Sequence, residues 1–123
     1  MKPRILVVDD SPTMRQLLGL ALRKLGAEIV QASDGMDAMR KLLGDRFDLA
    51  LVDINMPVMD GLKLIQLVRA EDALQSLPIV VITTEGSDSP REQAMTLGAN
   101  AYLTKPIEPG SVFKLVRELL PTA

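Results

Sequence analysis

The chain predicts an α/β fold, a three-layer (βα)5 doubly wound sandwich built on a five-stranded parallel sheet. Two observations and one rule of handedness predict it. Short apolar runs alternate five times with amphipathic stretches, with no linker, low-complexity tract or internal repeat between them. Two of the runs, Leu49-Ala50-Leu51-Val52 and Ile79-Val80-Val81-Ile82, are continuously apolar, as strands covered on both faces are. Right-handed crossovers between such strands then bring all of their carboxyl ends to one edge of the sheet.

The first strand is Ile5 to Val8, ended by Asp9-Asp10. Ser11-Pro12 caps and opens a helix, because serine can accept from the free amides of a first turn and proline lacks an amide that would go unpaired there. Met14, Leu17, Leu18, Ala21, Leu22 and Leu25 recur at helical spacing, and Gly26 stands just past the helix end. Glu28 to Ala32 is a second, weaker strand. Ser33-Asp34-Gly35 turns into a short helix that is expected to face Met39, Leu42 and Leu43 inward. Gly44-Asp45-Arg46 releases the chain into the central strand, Leu49 to Val52, which delivers Asp53.

After Gly61 a third helix carries Leu64, Leu67 and Val68 on one face. The strand Ile79 to Ile82 ends in Thr83-Thr84-Glu85. Ser89-Pro90-Arg91-Glu92 has the form of a capping box, which predicts a fourth helix from there to about Leu97, before Gly98. Ala101 to Thr104 is a fifth strand, ended by Lys105-Pro106. Pro109 opens the last helix, with Val112, Leu115, Val116 and Leu119 toward the core and Phe113 and Leu120 flanking that stripe.

Composition narrows the chemistry. At 123 residues the chain is expected to be one domain, 1–123, with a proper core. Fourteen basic and sixteen acidic residues give a net charge of −2, which argues against a nucleic-acid or anionic-membrane partner held by bulk electrostatics. Cysteine and histidine are both absent, so disulfides, thiolate or imidazole metal sites, serine–histidine catalysis and a phosphohistidine on this chain are excluded. Any metal must be held by oxygen. The apolar run after Met1-Lys2-Pro3-Arg4 stops at Asp9, short of a signal sequence, and no run approaches the ~18 residues of a membrane span. A cytoplasmic location, without membrane insertion, is expected.

The polar residues at the strand ends carry the functional signal. Asp9, Asp10, Asp53, Thr83 and Lys105 converge on one edge if the strands are parallel. Asp53 alone could be a turn cap. Three gathered carboxylates, however, repel by about 4 kcal/mol per pair at ~4 Å in an effective dielectric of ~20, so a positive group belongs among them. Hard oxygen donors point to Mg²⁺ or a similar ion that can also meet a phosphate. The Lys105 ammonium and the Thr83 hydroxyl both suit phosphoryl oxygens, which leaves Asp53 as the nucleophile of an aspartyl phosphate. No nucleotide-binding loop is present, so the donor comes from a partner.

These motifs together resemble a response-regulator receiver domain of two-component signalling, most similar to the chemotaxis type. The resemblance lies in Val8-Asp9-Asp10-Ser11, the run from Val52 to Gly61, Thr83-Thr84-Glu85, and Gly98-Ala99 leading to Tyr102-Leu103-Thr104-Lys105-Pro106. It covers essentially the whole chain. It implies a flavodoxin-like fold with strand order 2-1-3-4-5, and a phosphoacceptor rather than an enzyme, taking its phosphoryl group from a sensor histidine kinase onto Asp53. It further implies Mg²⁺ held by Asp10, Asp53 and the Asn55 carbonyl, with Asp9 acting through water. Lys105 and Thr83 would contact the phosphoryl oxygens, with Thr83 and Tyr102 as switch residues. A downstream protein would dock on the fourth helix, fifth strand and last helix, with Tyr102, Phe113 and Leu120 on that surface. Thr84 stands where the family often carries a small residue, and Ser11 where some chemotaxis regulators carry an aromatic.

Other readings of the chain are a receiver domain cut from a larger regulator, a phosphatase of the haloacid dehalogenase type, and a flavin protein. The phosphatase needs a second aspartate two residues after its nucleophile, where this chain has Asn55, which transfers no proton. The flavin reading needs a hydroxyl- and glycine-rich phosphate cradle in place of Asp9-Asp10-Ser11-Pro12. Asp60-Gly61 is read as a cap and turn outside the site.

Overall fold

A computed structural model describes residues 2–54, 56, 60–84 and 88–120, without the Asp88 side chain. Its strands are β1 (Arg4–Val8), β2 (Glu28–Ala32), β3 (Leu49–Asp53), β4 (Ile79–Thr84) and β5 (Ala101–Lys105). Between and after them lie α1 (Pro12–Leu22), α2 (Gly35–Gly44), α3 (Gly61–Ala70), α4 (Asp88–Leu97) and α5 (Pro109–Leu119). Every strand pair is parallel and the order is β2-β1-β3-β4-β5, the doubly wound arrangement expected from the sequence.

Alternation along the strands divides the core in two. Leu6, Val8, Ala50, Val52, Ile79 and Val81 face the layer of α2, α3 and α4, where Ala38, Leu42, Leu64, Ile65, Val68 and Ala94 cover them. Ile5, Val7, Leu49, Leu51, Val80 and Ile82 face Leu18 and Leu22 of α1 and Val112 and Val116 of α5. Burying each such aliphatic side chain contributes about 1.5–3 kcal/mol. All five residues of β3 are buried, which is why its stretch reads as continuously apolar up to the acid.

The helix starts follow the local chemistry. Ser11 caps α1, its hydroxyl accepting from Met14 N at 3.3 Å, and Pro12 follows as the first helical residue. Asp34 and Asp60 cap α2 and α3 in the same way, accepting at 2.8 Å from Asp37 N and from Lys63 N. At its far end α1 tightens into a 3₁₀ turn, Arg23–Leu25, and Gly26 closes it with φ +69°.

Four expectations are corrected. Helix α4 begins at Asp88, so Ser89 and Pro90 lie inside its first turn, and the Ser89 hydroxyl accepts from Gln93 Nε2 at 3.3 Å instead of capping the backbone. Leu43 is 58% exposed, because the buried face of α2 is Ala38 and Leu42 with Met39 beside them. In α3 Ile65 joins Leu64 and Val68 in the core while Leu67 is half-buried. Finally, Phe113 and Leu120 do not share a strip with Tyr102. Phe113 lines a groove against Leu17, Leu20 and Ala21 of α1, and Leu120 packs on the core just beyond the end of α5.

Candidate functional site

The carboxyl ends of β1, β3 and β5 build the site. Val8 pairs with Val52 and Asp53 with Ile82, so Asp9 leaves β1 beside Asp53, and Asp9 N donates to Ala32 O at 3.1 Å as β1 ends. Asp9 and Asp53 are each 1% exposed, whereas Asp10 stands in solvent. One oxygen from each of the three carboxylates lies within 4.8 Å of the others. Lys105 Nζ donates to Asp53 Oδ2 at 3.4 Å. Asp9, Asp10, Asp53 and Lys105 thus meet as the sequence predicts.

The electrostatics of this cluster are those of gathered acids, two of them buried. Burial foremost pushes the Asp9 carboxyl above the usual range, and the charges of Asp53 and Asp10 push the same way. The Ser11 amide, donating to Asp9 Oδ1 at 2.9 Å, and the Lys105 ammonium oppose that rise without cancelling it. The second oxygen, Asp9 Oδ2, is buried with no hydrogen-bond partner among the described residues. A buried, unpaired acceptor beside two more carboxylates fits a hard divalent cation, since oxygen is the only ligand type that the cluster offers.

Thr83 and Tyr102 form a second group. Thr83 is 3% exposed and follows Ile82, the partner of Asp53, so by alternation it belongs to the α4 face. Its hydroxyl donates to Leu103 O at 3.5 Å. Tyr102 is opposite Val81 and belongs to that same face. Its ring is 41% exposed, with the Arg91 guanidinium carbon 4.7 Å from the ring centroid. Asn55, whose carbonyl the resemblance makes a metal ligand, and Glu85 lie outside the described residues.

Gly61 belongs to the site's frame, although the sequence read it only as part of a turn. Its amide donates to Ile54 O at 2.9 Å, and a Cβ at this position would lie 2.7 Å from both Asp53 O and Ile54 Cα. Only glycine lets the first turn of α3 press on the backbone that carries Asp53. The signal available was Asp60-Gly61, seven and eight residues after the acid, which encodes the cap but not the contact.

Proteins of known identity are similar to this chain in sequence and in fold. The chain is 41% identical over 108 residues to chemotaxis protein CheY1 of Helicobacter pylori, covering 86% of this chain and 87% of the relative. It is 36% identical over 121 residues to a chemotaxis protein CheY homolog of Campylobacter jejuni, covering 97% and 93% of the two chains. Among solved structures, chemotaxis protein CheY4 of Vibrio cholerae superposes with a TM-score of 0.91 at 34% identity, covering 98% of this chain and all of that one. A putative response regulator from Chloroflexus aurantiacus does so with a TM-score of 0.93 at 32% identity, covering 97% and 98%. With residues 5–117 matching the response regulator receiver domain, and an acidic pocket standing at the sheet edge where the strand order demands it, the chain belongs to the receiver family of response regulators.

Proposed function

We propose that the chain is a phosphoacceptor, one receiver domain that takes a phosphoryl group onto Asp53 from the phosphohistidine of a sensor kinase. The observation that carries this reading is the buried Asp53 carboxylate, 3.4 Å from Lys105 Nζ and grouped with Asp9 and Asp10. An Asp53 oxygen attacks phosphorus. The new P–O bond forms as the P–N bond to the donor breaks, and the leaving imidazole keeps the electron pair and takes a proton. Water later cleaves the acyl phosphate, releasing phosphate and restoring the acid, so the chain is no enzyme in the usual sense.

Positioning and charge neutralisation are the main demands of such a transfer. Lys105, whose ammonium lies 3.4 Å from Asp53 Oδ2, is proposed with Thr83 to contact the phosphoryl oxygens. Asp10 and Asp53, with Asp9 through water and the Asn55 carbonyl, are the ligands proposed for Mg²⁺, which when bound neutralises charge on the transferred oxygens. The buried, unpartnered Oδ2 of Asp9 supports that assignment.

The proposed output runs through Thr83 and Tyr102. A phosphoryl group adds acceptor oxygens that draw the Thr83 hydroxyl away from Leu103 O, and the Tyr102 ring turns into the vacated space. The surface that changes is α4, β5 and the adjoining flank of α5, where Arg91 lies over the exposed Tyr102 ring, and a downstream protein docks there. Phe113, on the α1 side of α5, is not part of it. Chemotaxis signalling in the cytoplasm is the setting proposed, on the strength of the relatives' names. No described helix is long and apolar enough to cross a membrane.

Incubation with Mg²⁺ and acetyl phosphate tests the central step. Intact mass should show one added phosphoryl group, absent from Asp53→Asn. Undiminished labelling of that variant would overturn the assignment.

A further inference from the structure

The Tyr102 ring is exposed, yet it has a partner on α4. Arg91 lies in the second half of that helix's first turn and a half, and its guanidinium carbon is 4.7 Å from the ring centroid, within the range of cation–π attraction. The two residues come from different elements, so this contact exists only while the ring points outward and α4 keeps its place. A contact made in one of two states biases the equilibrium between them by its own free energy.

We infer that Arg91 is a positioning residue of the switch: it holds Tyr102 outward in the resting protein and so sets how much phosphorylation must supply to turn the ring inward. The inference rests on the switch role proposed above for Tyr102. A ring that moves toward Thr83 leaves the guanidinium behind, and the contact between them is lost. At a half-exposed site a cation–π contact shifts such a ratio by about 2- to 5-fold. Linkage is reciprocal, so whatever Arg91 takes from the inward state it takes equally from the affinity of the Asp53 site for a phosphoryl group. A lysine at this position keeps the charge but loses the flat guanidinium that stacks on a ring, and it retains only part of the effect.

The sequence makes the test direct, because Tyr102 is the only tyrosine and there is no tryptophan. Labelling with 3-fluorotyrosine gives one ¹⁹F resonance, followed while Mg²⁺-loaded protein is titrated with beryllofluoride, a phosphoryl mimic. Arg91→Ala places the best helix former on the helix surface, so the fold is retained. In this variant the resting resonance should move toward its beryllofluoride-saturated position, with the inward-to-outward ratio raised about 2- to 5-fold. Half-saturation should come at a beryllofluoride concentration lower by the same factor, and Arg91→Lys should fall between the two proteins. Half-saturation unchanged in Arg91→Ala, while the ring still responds to beryllofluoride, would overturn the role of Arg91 and leave the switch standing. A wild-type ring that does not respond would instead overturn the switch itself, and this inference with it.

Discussion

Lys105 Nζ and Asp53 Oδ2 are 3.4 Å apart, although 52 positions separate the residues and β4 lies between their strands. Neighbouring strands are spaced by about 4.8 Å, so a group on β5 must cross roughly twice that to reach β3, and only a long side chain does. The ammonium stands where a cation bound by the carboxylates would feel it. Lys105→Ala should therefore bind Mg²⁺ as well as the parent or better, whereas Asp10→Ala should bind about tenfold more weakly, a loss of ~1.4 kcal/mol. Calorimetric titration distinguishes them, and several-fold weaker binding by Lys105→Ala would show that the lysine supports the metal site in some other way.

Two glycine substitutions should act in opposite directions. A Cβ on Gly61 meets the backbone of Asp53 and Ile54 at 2.7 Å, and backbone cannot step aside as a side-chain tip can. Gly61→Ala should cost about 1–3 kcal/mol in urea unfolding and slow the labelling of Asp53 by acetyl phosphate. Gly44, in the last turn of α2, has nothing within 4 Å of a built Cβ, and Gly44→Ala should stabilise by about 0.4–1 kcal/mol.

The acid limb of stability should depend on Asp37. Burial tends to raise the Asp37 carboxyl, but hydrogen bonds from Arg40 and Lys41 outweigh it and hold the group below its ordinary value. A depressed acid contributes stability above its unfolded value of about 3.9, and loses it as pH falls through the lower folded value. Arg40 is largely exposed, which discounts the pair to about 0.3–1 kcal/mol. Asp37→Asn should be less stable than the parent by that amount at pH 7 and match it near pH 2, as thermal melts at the two pH values would show.

Arg69 should be hard to replace. Its guanidinium donates to Gly98 O from Nε and Nη2 at 3.1 and 2.9 Å, to Leu74 O and Gln75 O from Nη1, and to Asn100 Oδ1 from Nη2. Asn100 Oδ1 also accepts from Ile79 N at 2.9 Å, so one side chain ties the end of α3 to the entries of β4 and β5. Burial lowers its pKa, but the guanidinium stays charged at neutral pH. Arg69→Lys keeps the charge and loses the planar fork, and should destabilise by about 1.5–3 kcal/mol in urea unfolding.

What the sequence made legible, and what it did not, divides by range. The strands, the caps at Ser11 and Asp60, and the grouping of Asp9, Asp10, Asp53 and Lys105 all follow from local pattern plus one rule of handedness. Contacts between distant side chains do not. The closeness of Gly61 to Asp53, the stack of Arg91 on Tyr102 and the fork of Arg69 depend on how helices seat on the sheet, and no periodicity encodes that. Phe113 shows the same limit, since helical spacing places it on a flank of α5 without saying that the flank faces α1. Leu43 failed as a core residue because α2 covers the sheet with Ala38 and Leu42, and a hydrophobic residue one step further round the helix meets water.

The complete burial of β3 has a consequence for how such a protein can diversify. All five of its residues are buried and Ala50, Leu51 and Val52 pair with a strand on either side, so Asp53, the proposed phosphoacceptor, rides on a strand supported all round. The helix surfaces and loops around it can then be rewritten to suit new donors and new listeners without re-aiming the acid. Chemistry and address are kept in separate parts of one small chain, and mutation can revise the second while leaving the first intact.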